Sequence, residues 1–528
     1  MSRARLAYST EPACIRHTDL PGASRLFADF SYHFDRVARF YRHDPHDPAS
    51  IPAAVKEIDY PGERRASLVQ ALRRQNGDSD SLRLLAQPGT AAVVTGQQVG
   101  LFGGPAYTIY KALTAARLAR NLSGRGIPAV PVFWLASEDH DFPEVATAWG
   151  FDGSNRPVRF QVEPPAEAKE RPRPVGGIRI VKYPLDELRR SLAGFPDAEE
   201  TIAAVEQSYQ PGATMAEGFR ALLKRIVGRL GLILLDPLDT EIRAISAPLM
   251  AEALSAAPDL KARLLERNRE LAAAGYHAQV HLEPKTSLFF LLENGERVTL
   301  RLKDSEFASL RGRAAEVSPN ALLRPVMQDY LLPTAVYIGG PGELAYFAQS
   351  RVIYEMLLGR MPVVLPRSSF TLLDAHAQKL LARYKLTLPE ALVHEESLKE
   401  RFARALVPET VEMAFENAAG EMRASLERLG QEVEGFDPTL AASLSKSRAK
   451  ALYQIEKVRR KTAREIFRRD ARAGEDARAL HSLLFPHRHL QERFYSILPF
   501  LAKHGFGLVD RLYETVETSC FDHRVLSI

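Results

Sequence analysis

The stretch AAVVTGQQVGLFGGPAYTIYKALTAARL, residues 91–118, has the pattern of a strand, a glycine-rich loop and a helix. Ala91–Val94 is short, apolar and rich in β-branched residues, which is typical of a buried parallel strand. Pro105 stands where a helix can begin. A glycine loop that leads into a helix presents unpaired N–H groups at the positive end of the helix dipole. We therefore expect an anion site formed by Gly96, Gly100, Gly103 and Gly104.

A structural explanation of the same glycines stays open. The loop does not end in Gly-Lys-Ser/Thr, and its spacing is not G-x-G-x-x-G. A tight strand-to-helix turn could need the glycines only for their backbone freedom. Gln97 and Gln98 favour a binding role, because two adjacent amides are costly to bury without a ligand or partner.

A second buried strand, Ile127–Ala136, runs into the polar segment Ser137-Glu138-Asp139-His140-Asp141. In open α/β sheets, ligands bind at the carboxyl ends of strands. We expect the neighbouring carboxylates to raise the pKa of His140. Such a group can bind an ammonium, hold a divalent ion or let His140 act as a general base. The alternative is an acidic surface turn that caps the next helix.

Three further strands end in ionisable residues. Gly231–Leu235 leads to Asp236, and Met361–Leu365 leads to Arg367, whose fork suits phosphate or carboxylate. The strand at 335–338 precedes a second glycine loop and a helix that starts at Glu343. Glu343 either complements the helix dipole or takes a substrate amine.

These strand–loop–helix units predict an α/β fold with a parallel sheet, whose loops converge on one edge. Such a site suits a substrate that carries both phosphate and amine.

Bulk composition is that of an ordinary globular protein: 528 residues, 45% hydrophobic and 26% charged, with a net charge of +5. The mild positive charge suits an anionic small substrate and does not require nucleic acid. No apolar run approaches the ~18 residues that span a bilayer, and no signal peptide is recognisable. The two cysteines, Cys14 and Cys520, give no metal spacing or disulfide framework. We expect a cytoplasmic protein without membrane or nucleic-acid partners.

The rest of the chain predicts insertions and a helical arm. Strands at 157–162 and 177–183 would pair as an inserted hairpin, and 277–303 reads as a β-meander with Asn294-Gly295 at its turn. From about residue 376, apolar residues at alternating three- and four-residue spacing predict an antiparallel coiled-coil hairpin. We therefore expect a core at 1–375 with insertions at about 151–200 and 276–330, an arm at 376–480, and a segment at 481–528 that packs back on the core.

Five motifs together resemble the cysteine-adding enzymes of bacillithiol biosynthesis, the BshC family. They are TGQQVGLFGGPAYTIYK at 95–111, WLASEDHDFPEV at 134–145, GGPGELAYFAQ at 339–349, MPVVLPRSS at 361–369 and QERFYSILPFLAKHG at 491–505. The resemblance implies a Rossmann-like core with insertions like those of class I aminoacyl-tRNA synthetases, and a coiled-coil arm that forms a homodimer. It implies a ligase that adds L-cysteine to the amine of glucosaminyl-malate to give bacillithiol.

The resemblance also implies a nucleotide pocket for ATP or ADP with Mg²⁺. Our candidates for it are Ser368, Ser369, Phe370, Phe485, Pro486, Arg488 and Arg493. The synthetase His-x-Gly-His motif is absent, and residues 96–100 occupy the analogous loop. We predict no metal-ligand set made by protein side chains.

The catalytic hypothesis assigns His140, flanked by Asp139 and Asp141, as the base that deprotonates the attacking amine. Glu343 or Asp236 would orient an amine. The predicted binding residues are Gly96, Gln97, Gln98, Gly100, Gly103, Gly104, Tyr107, Lys111, Glu138, Asp236 and Arg367. Two alternatives stay open: a nucleotidyltransferase that acts on another amine or on tRNA, and a non-catalytic scaffold built around the arm.

Overall fold

The computed structural model describes residues 13–165, 171–283, 285–300, 304–435 and 437–528. Its strands, in chain order, are β1 (Ala13–Ile15), β2 (Ala91–Gln97), β3 (Ala129–Leu135), β4 (Thr147–Phe151), β5 (Pro157–Gln161), β6 (Ile233–Leu235), β7 (Phe289–Glu293), β8 (Glu296–Thr299), β9 (Val317–Pro319), β10 (Thr334–Gly339), β11 (Val363–Pro366), β12 (Ser369–Leu373) and β13 (His523–Ser527).

The centre of the fold is a five-stranded parallel sheet in the order β11-β10-β2-β3-β6. Val94 of β2 lies between Tyr337 of β10 and Val132 of β3. Both faces of the sheet are buried: Ala92 and Val94 belong to one apolar cluster, and Ala91 and Val93 to another. This explains the continuous apolar runs in the sequence and confirms the predicted α/β, Rossmann-like class.

Helices cover both faces of the sheet. Those before the second insertion are α1 (Arg25–Tyr32), α2 (Ser50–Lys56), α3 (Gly62–Asn76), α4 (Asp80–Leu85), α5 (Tyr107–Gly124), α6 (Phe142–Val145), α7 (Leu185–Leu192), α8 (Ala198–Ser208), α9 (Met215–Val227), α10 (Thr240–Ser255) and α11 (Ala257–Ala273). Those that follow it are α12 (Arg324–Leu331), α13 (Pro341–Leu357), α14 (Ala375–Arg383), α15 (Leu388–Ala391) and α16 (Glu395–Ala405). The remaining helices are α17 (Glu409–Glu434), α18 (Pro438–Arg469), α19 (Ala473–Leu484), α20 (Gln491–Phe494), α21 (Leu498–His504) and α22 (Gly507–Thr515).

The first insertion contains a hairpin, but its predicted pairing is wrong. The strand predicted at 157–162 is β5, and its antiparallel partner is β4, with Trp149 opposite Arg159. Residues 177–183 contribute only a single bridge, from Arg179 to Thr214. β5 pairs with β4, the nearer segment in sequence, because a short loop closes a hairpin with less loss of chain entropy. Part of the predicted connecting loop, 166–170, lies outside the described residues.

The second insertion contains the predicted hairpin. β7 and β8 pair through Asn294 and Gly295, whose φ angles of 52° and 75° suit a two-residue turn. The third strand of this sheet is β9, which comes later in the chain than the predicted meander.

The arm is the helical hairpin α17–α18. Arg459 pairs with Glu412, Arg448 pairs with Glu427, and a Cβ placed on Gly430 would lie 3.7 Å from the Leu444 side chain, so the two helices run antiparallel. This confirms the predicted coiled-coil hairpin. After the arm, the chain returns to the core, where β13 joins β1 and β12 in a small sheet. Within the described residues, no helix is long and apolar enough to cross a membrane.

Candidate functional site

The carboxyl ends of the central strands border a cavity of about 560 Å³. The cavity brings together many of the predicted residues: Gly96, Gln97, Gln98, Tyr107, Lys111, Glu138, Asp139, His140, Glu343, Arg367 and Arg493. Other predicted residues are absent from its lining: Gly100, Gly103, Gly104, Asp141, Asp236, Ser368, Ser369, Phe370, Phe485, Pro486 and Arg488. About half of the predicted site residues therefore meet at this edge of the sheet, and the other half do not.

In the glycine loop after β2, Gly100, Gly103 and Gly104 serve the backbone conformation of the loop itself. Its amides already have protein partners: Gly100 N–H donates to the Gln98 carbonyl, and Gly103 N–H to the Tyr209 hydroxyl. Gly103 and Gly104 have φ angles of 84° and 67°, which favour glycine. The structure thus favours the structural explanation at Gly100, Gly103 and Gly104, and the predicted anion site is not formed by their N–H groups.

Gln98 joins two carboxylates in what we call the acidic cluster, formed by Gln98, Asp139 and Glu144. The Gln98 amide donates to Asp139 at 2.7 Å and to Glu144 at 2.8 Å. Glu144 is exposed and faces the same cavity. The cluster therefore presents negative charge at the mouth of the cavity, where it can take an ammonium group.

His140 has an environment opposite to the predicted one. Burial lowers the pKa of His140, the Arg297 guanidinium lowers it further, and the flanking carboxylates do not reverse this. Arg297 donates to Nδ1 at 2.9 Å. A guanidinium has no lone pair to offer, so Nδ1 must accept and the neutral ring carries its proton on Nε2. The predicted rise in pKa is wrong, and the lone pair that a base would use is already occupied.

Lys111 and Glu343 form a buried ion pair that links the two glycine-loop units. The Lys111 ammonium donates to the Glu343 carboxylate, to the Gly96 carbonyl at 2.8 Å and to the Gln97 amide oxygen at 2.8 Å. Glu343 also accepts from the Tyr337 hydroxyl at 2.6 Å and from Gly340 N–H at 2.7 Å. Burial opposes ionisation of Glu343, but these donors hold its pKa below the usual range. Glu343 therefore caps its helix and faces the cavity at once.

Arg367 is already paired with a carboxylate of the protein, that of Glu492. Its guanidinium makes two hydrogen bonds to Glu492, at 2.9 and 2.6 Å, and both side chains are buried. Arg367 still borders the cavity and lies 5.1 Å from the centre of the Tyr107 ring. A ligand anion would reach Arg367 as part of a neutral pair, so the predicted role of a free anion receptor needs correction.

Three of the predicted acids serve the fold. Asp236 accepts from the Ser137 hydroxyl at 2.5 Å and pairs with Arg220 at 3.3 Å, which ties the end of β6 to β3 and α9. Asp141 caps α6 by accepting from Glu144 N–H. Glu138 borders the cavity but is paired with Arg243 at 2.5 Å, and burial raises its pKa.

A second cavity of about 310 Å³ lies behind Arg367 and Arg493, which line both cavities. Of the predicted nucleotide residues, Ser369, Arg488 and Arg493 border the second cavity. Phe370 and Phe485 are buried in the core and cannot stack on a base. Ser368 is used internally, since its N–H donates to Thr114. Pro486 is buried as well.

Sequence reasoning missed several cavity residues: Glu144, Arg297, Arg324, Tyr337, Tyr346 and the partner of Arg367, Glu492. Arg324 lies in the first turn of α12 and donates to the Tyr346 hydroxyl at 2.8 Å. Arg297 comes from a hairpin strand that gives no sign of a site. Of these residues, Glu144, Tyr346 and Glu492 lie within the motifs that carry the resemblance. No group of three or more His, Cys, Asp or Glu side chains in the described parts of the chain could hold a metal ion.

A Rossmann-like sheet with a polar cavity at its strand ends, joined to a coiled-coil arm, defines the class of this protein. Two family models match it: "Bacillithiol biosynthesis BshC, N-terminal Rossmann-like domain" over residues 13–368, and "Bacillithiol biosynthesis BshC, C-terminal coiled-coil domain" over residues 370–528. The chain therefore belongs to the BshC family of bacillithiol biosynthesis.

Three relatives match along nearly the whole chain. The protein from Solibacter usitatus is 50% identical, over 98% of this chain and 99% of its own length. Those from Koribacter versatilis and Salinibacter ruber are 34% and 33% identical, over 98% and 99% of this chain and 100% and 99% of their own lengths. All three carry the name "Putative cysteine ligase BshC".

Proposed function

We propose that this protein is a carbon–nitrogen ligase that joins the carboxyl group of L-cysteine to the amine of glucosaminyl-malate, forming bacillithiol. The observation that carries the proposal is the single cavity lined by both the acidic cluster and several cations. A substrate with an ammonium group and two carboxylates needs both kinds of partner. The name that the relatives carry, "Putative cysteine ligase BshC", supports the cysteine substrate and the ligase reaction of this proposal.

The acidic cluster would hold the substrate ammonium, and Glu144 would accept its proton before attack. Glu144 is the exposed member of the cluster, so its carboxylate can exchange that proton with solvent. The cations Arg324 and Arg493, which line the same cavity, would hold the malate carboxylates. His140 would donate a hydrogen bond from Nε2, held in place by Arg297.

We propose that ATP activates the cysteine carboxylate, because a carboxylate is too stable to be attacked by an amine directly. The second cavity supports a nucleotide by its arginines, Arg488 and Arg493, which suit phosphate. His489 lines the same cavity, and its ring is stacked on that of Phe494 with centres 6.2 Å apart. These rings replace the buried Phe370 and Phe485 as candidates for contact with the base.

We further propose a homodimer formed through the arm, in a reducing compartment such as the cytoplasm, where the cysteine thiol stays free. The arm exposes apolar side chains that include Met413, Met422, Leu429, Tyr453 and Val458. A second arm would cover this apolar surface. The arginines of α18 support a small-molecule function over tRNA binding, because several are matched with glutamates, as in the Arg464–Glu400 pair.

The test is product formation followed by mass spectrometry. The protein is incubated with cysteine and glucosaminyl-malate, with and without ATP–Mg²⁺. We expect bacillithiol only with ATP, and we expect Glu144→Gln to lower the rate by about 10²-fold or more. Glu252→Gln, at an exposed position on α10, is the matched control. Product without ATP would overturn the activation step, and no product under either condition from a folded dimer would overturn the ligase proposal.

The role of His140 is tested by the pH profile. If His140 is a hydrogen-bond donor, His140→Gln should lower kcat/KM by about tenfold, since the Gln amide can still donate. A base would lose about 10²–10⁴-fold and its ascending pH limb. The larger loss would restore the base hypothesis.

A further inference from the structure

A third cavity, of about 640 Å³, lies at the amino end of β2. Thr90, the residue before that strand, lines it, whereas Gly96 and Gln97 at the other end of the strand line the 560 Å³ cavity, which we call the main cavity. The third cavity is bordered by α2 and the residues after it, by α3, and by the loop that leads into β2. It has no lining residue in common with the main cavity, so it is a separate site.

Arg65 brings a buried positive charge to the third cavity. The residue is only 6% exposed, and its Nη1 donates to the carbonyl oxygens of Leu85 at 2.8 Å and Thr90 at 3.2 Å. Among the described residues, no carboxylate pairs with Arg65, and no hydrogen bond uses its Nε or Nη2. A buried charge is costly without a counter-ion. The wall of this cavity therefore holds a guanidinium with unused donors and no anion beside it.

The rest of the wall combines apolar surface with further positive charge. Ile58, Ala66 and Val69 line the cavity, and so does Arg73, which is exposed and reaches Asp78 at 3.4 Å, outside the lining. In the described part of the chain, no residue that lines the cavity is acidic. A pocket with apolar walls and one fixed charge selects a ligand that has an apolar body and a single group of opposite charge.

We propose that the third cavity binds a small organic carboxylate with an apolar body. Nε and Nη2 lie on one edge of the Arg65 guanidinium, and this edge matches the two oxygens of a carboxylate. The Tyr60 ring, whose centre is 5.0 Å from the guanidinium carbon, packs beside Arg65 and restricts its movement. The apolar body of the ligand would lie on Ile58 and Val69.

One helix connects the third cavity to the main cavity. Tyr60 lines the third cavity, and its hydroxyl donates to the carbonyl oxygen of Leu331, the last residue of α12, at 2.5 Å. Arg324, the first residue of α12, lines the main cavity. A ligand beside Tyr60 would therefore contact a side chain that holds the far end of the helix carrying Arg324.

The experiment titrates the full-length protein with hexanoate and measures Kd by ligand-observed NMR. We expect saturable binding of hexanoate, and binding of 1-hexanol that is weaker by about tenfold or more, because the alcohol has no charge for Arg65. Ala66→Phe should raise the Kd for hexanoate by about tenfold or more, because the ring would fill the cavity from an exposed position on α3. Ser67→Phe, at the next residue, is exposed and outside the lining, so it is the matched control and should bind as the wild type does.

Three results would overturn the proposal. They are no saturable binding of hexanoate to the wild type, equal affinity of Ala66→Phe and Ser67→Phe, and equal affinity of the wild type for hexanoate and 1-hexanol. Displacement of hexanoate by an equal concentration of inorganic phosphate would overturn the choice of a carboxylate. Because every readout is a binding constant, failure of the ligase assay would leave these results unchanged.

Discussion

Two units of this protein share one pattern in sequence, a strand, a glycine loop and a helix, and use it differently. In the first, β2 to α5, the loop folds inward and its amides bind protein groups. In the second, β10 to α13, the loop residues Gly340, Pro341 and Gly342 border the cavity. The comparison teaches that a glycine loop lines a cavity only when the neighbouring elements leave its face open.

Breaking the Lys111–Glu343 ion pair, which joins the two units, should have the largest effect on the free energy of unfolding. Lys111→Met should leave Glu343 buried without its cation and lower the free energy of unfolding by about 3–5 kcal/mol. Chemical denaturation measures the change, and Lys379→Met on α14, at an exposed position, is the control. The double variant Lys111→Met/Glu343→Gln should recover part of the loss. A single variant as stable as the control would show that the units are not coupled through this pair.

The network behind the second unit should make stability depend on pH. Burial lowers the pKa of His523 to about 4, and Arg367 overcomes burial to hold the pKa of Glu492 at about 2. Both folded pKa values lie below the unfolded ones, so stability is full at neutral pH and falls with acid. For His523 the loss is on the order of 2–3 kcal/mol as the pH falls from about 6.5 to 4.

Denaturation at several pH values measures this dependence. His523→Gln should flatten the slope in that pH window, whereas His281→Gln, at an exposed histidine, should leave it unchanged. An unaltered slope in His523→Gln would assign the acid sensitivity to other groups.

Gly96 and Gly342 both line the cavity, and adding one methyl group to each separates a glycine packed tightly against a neighbouring strand from one with room for a side chain. A Cβ on Gly96 would lie 2.9 Å from the Trp134 carbonyl oxygen, in the neighbouring strand. Gly96→Ala should therefore cost about 1–3 kcal/mol of stability. A Cβ on Gly342 would lie 3.7 Å from the Gln279 side chain, which is ordinary contact. Gly342→Ala should keep stability within about 0.5 kcal/mol. Equal melting temperatures for the two variants would contradict the distinction.

The smallest expected effect concerns binding at the second loop. Because Gly342 lines the cavity, Gly342→Ala should weaken the binding of glucosaminyl-malate. We expect the binding free energy to fall by about 1 kcal/mol, which raises Kd about fivefold. Calorimetry measures the affinity. Gly420→Ala, on the arm with open space around it, should bind as the wild type does. Unchanged affinity in Gly342→Ala would place the ligand away from this loop.

Sequence patterns predicted the sheet well because its strands are buried on both faces, and such strands appear as continuous apolar runs. They predicted the arm because its apolar residues keep a helical period. The inserted hairpin was assigned the wrong partner, since short strands of similar composition give no information on pairing. The pKa shift of His140 was predicted in the wrong direction, because Arg297 reaches the ring from a strand distant in sequence.

By itself, the sequence determined the parallel α/β core, the coiled-coil arm and the loops that could meet at the strand ends, because local periodicity and buried runs specify these features. Only the tertiary structure decided which polar groups are already satisfied. It paired Arg367 with Glu492 and joined Lys111 to Glu343. Each pair joins residues on different elements, and the energy of a buried charge depends on neighbours that no local pattern specifies.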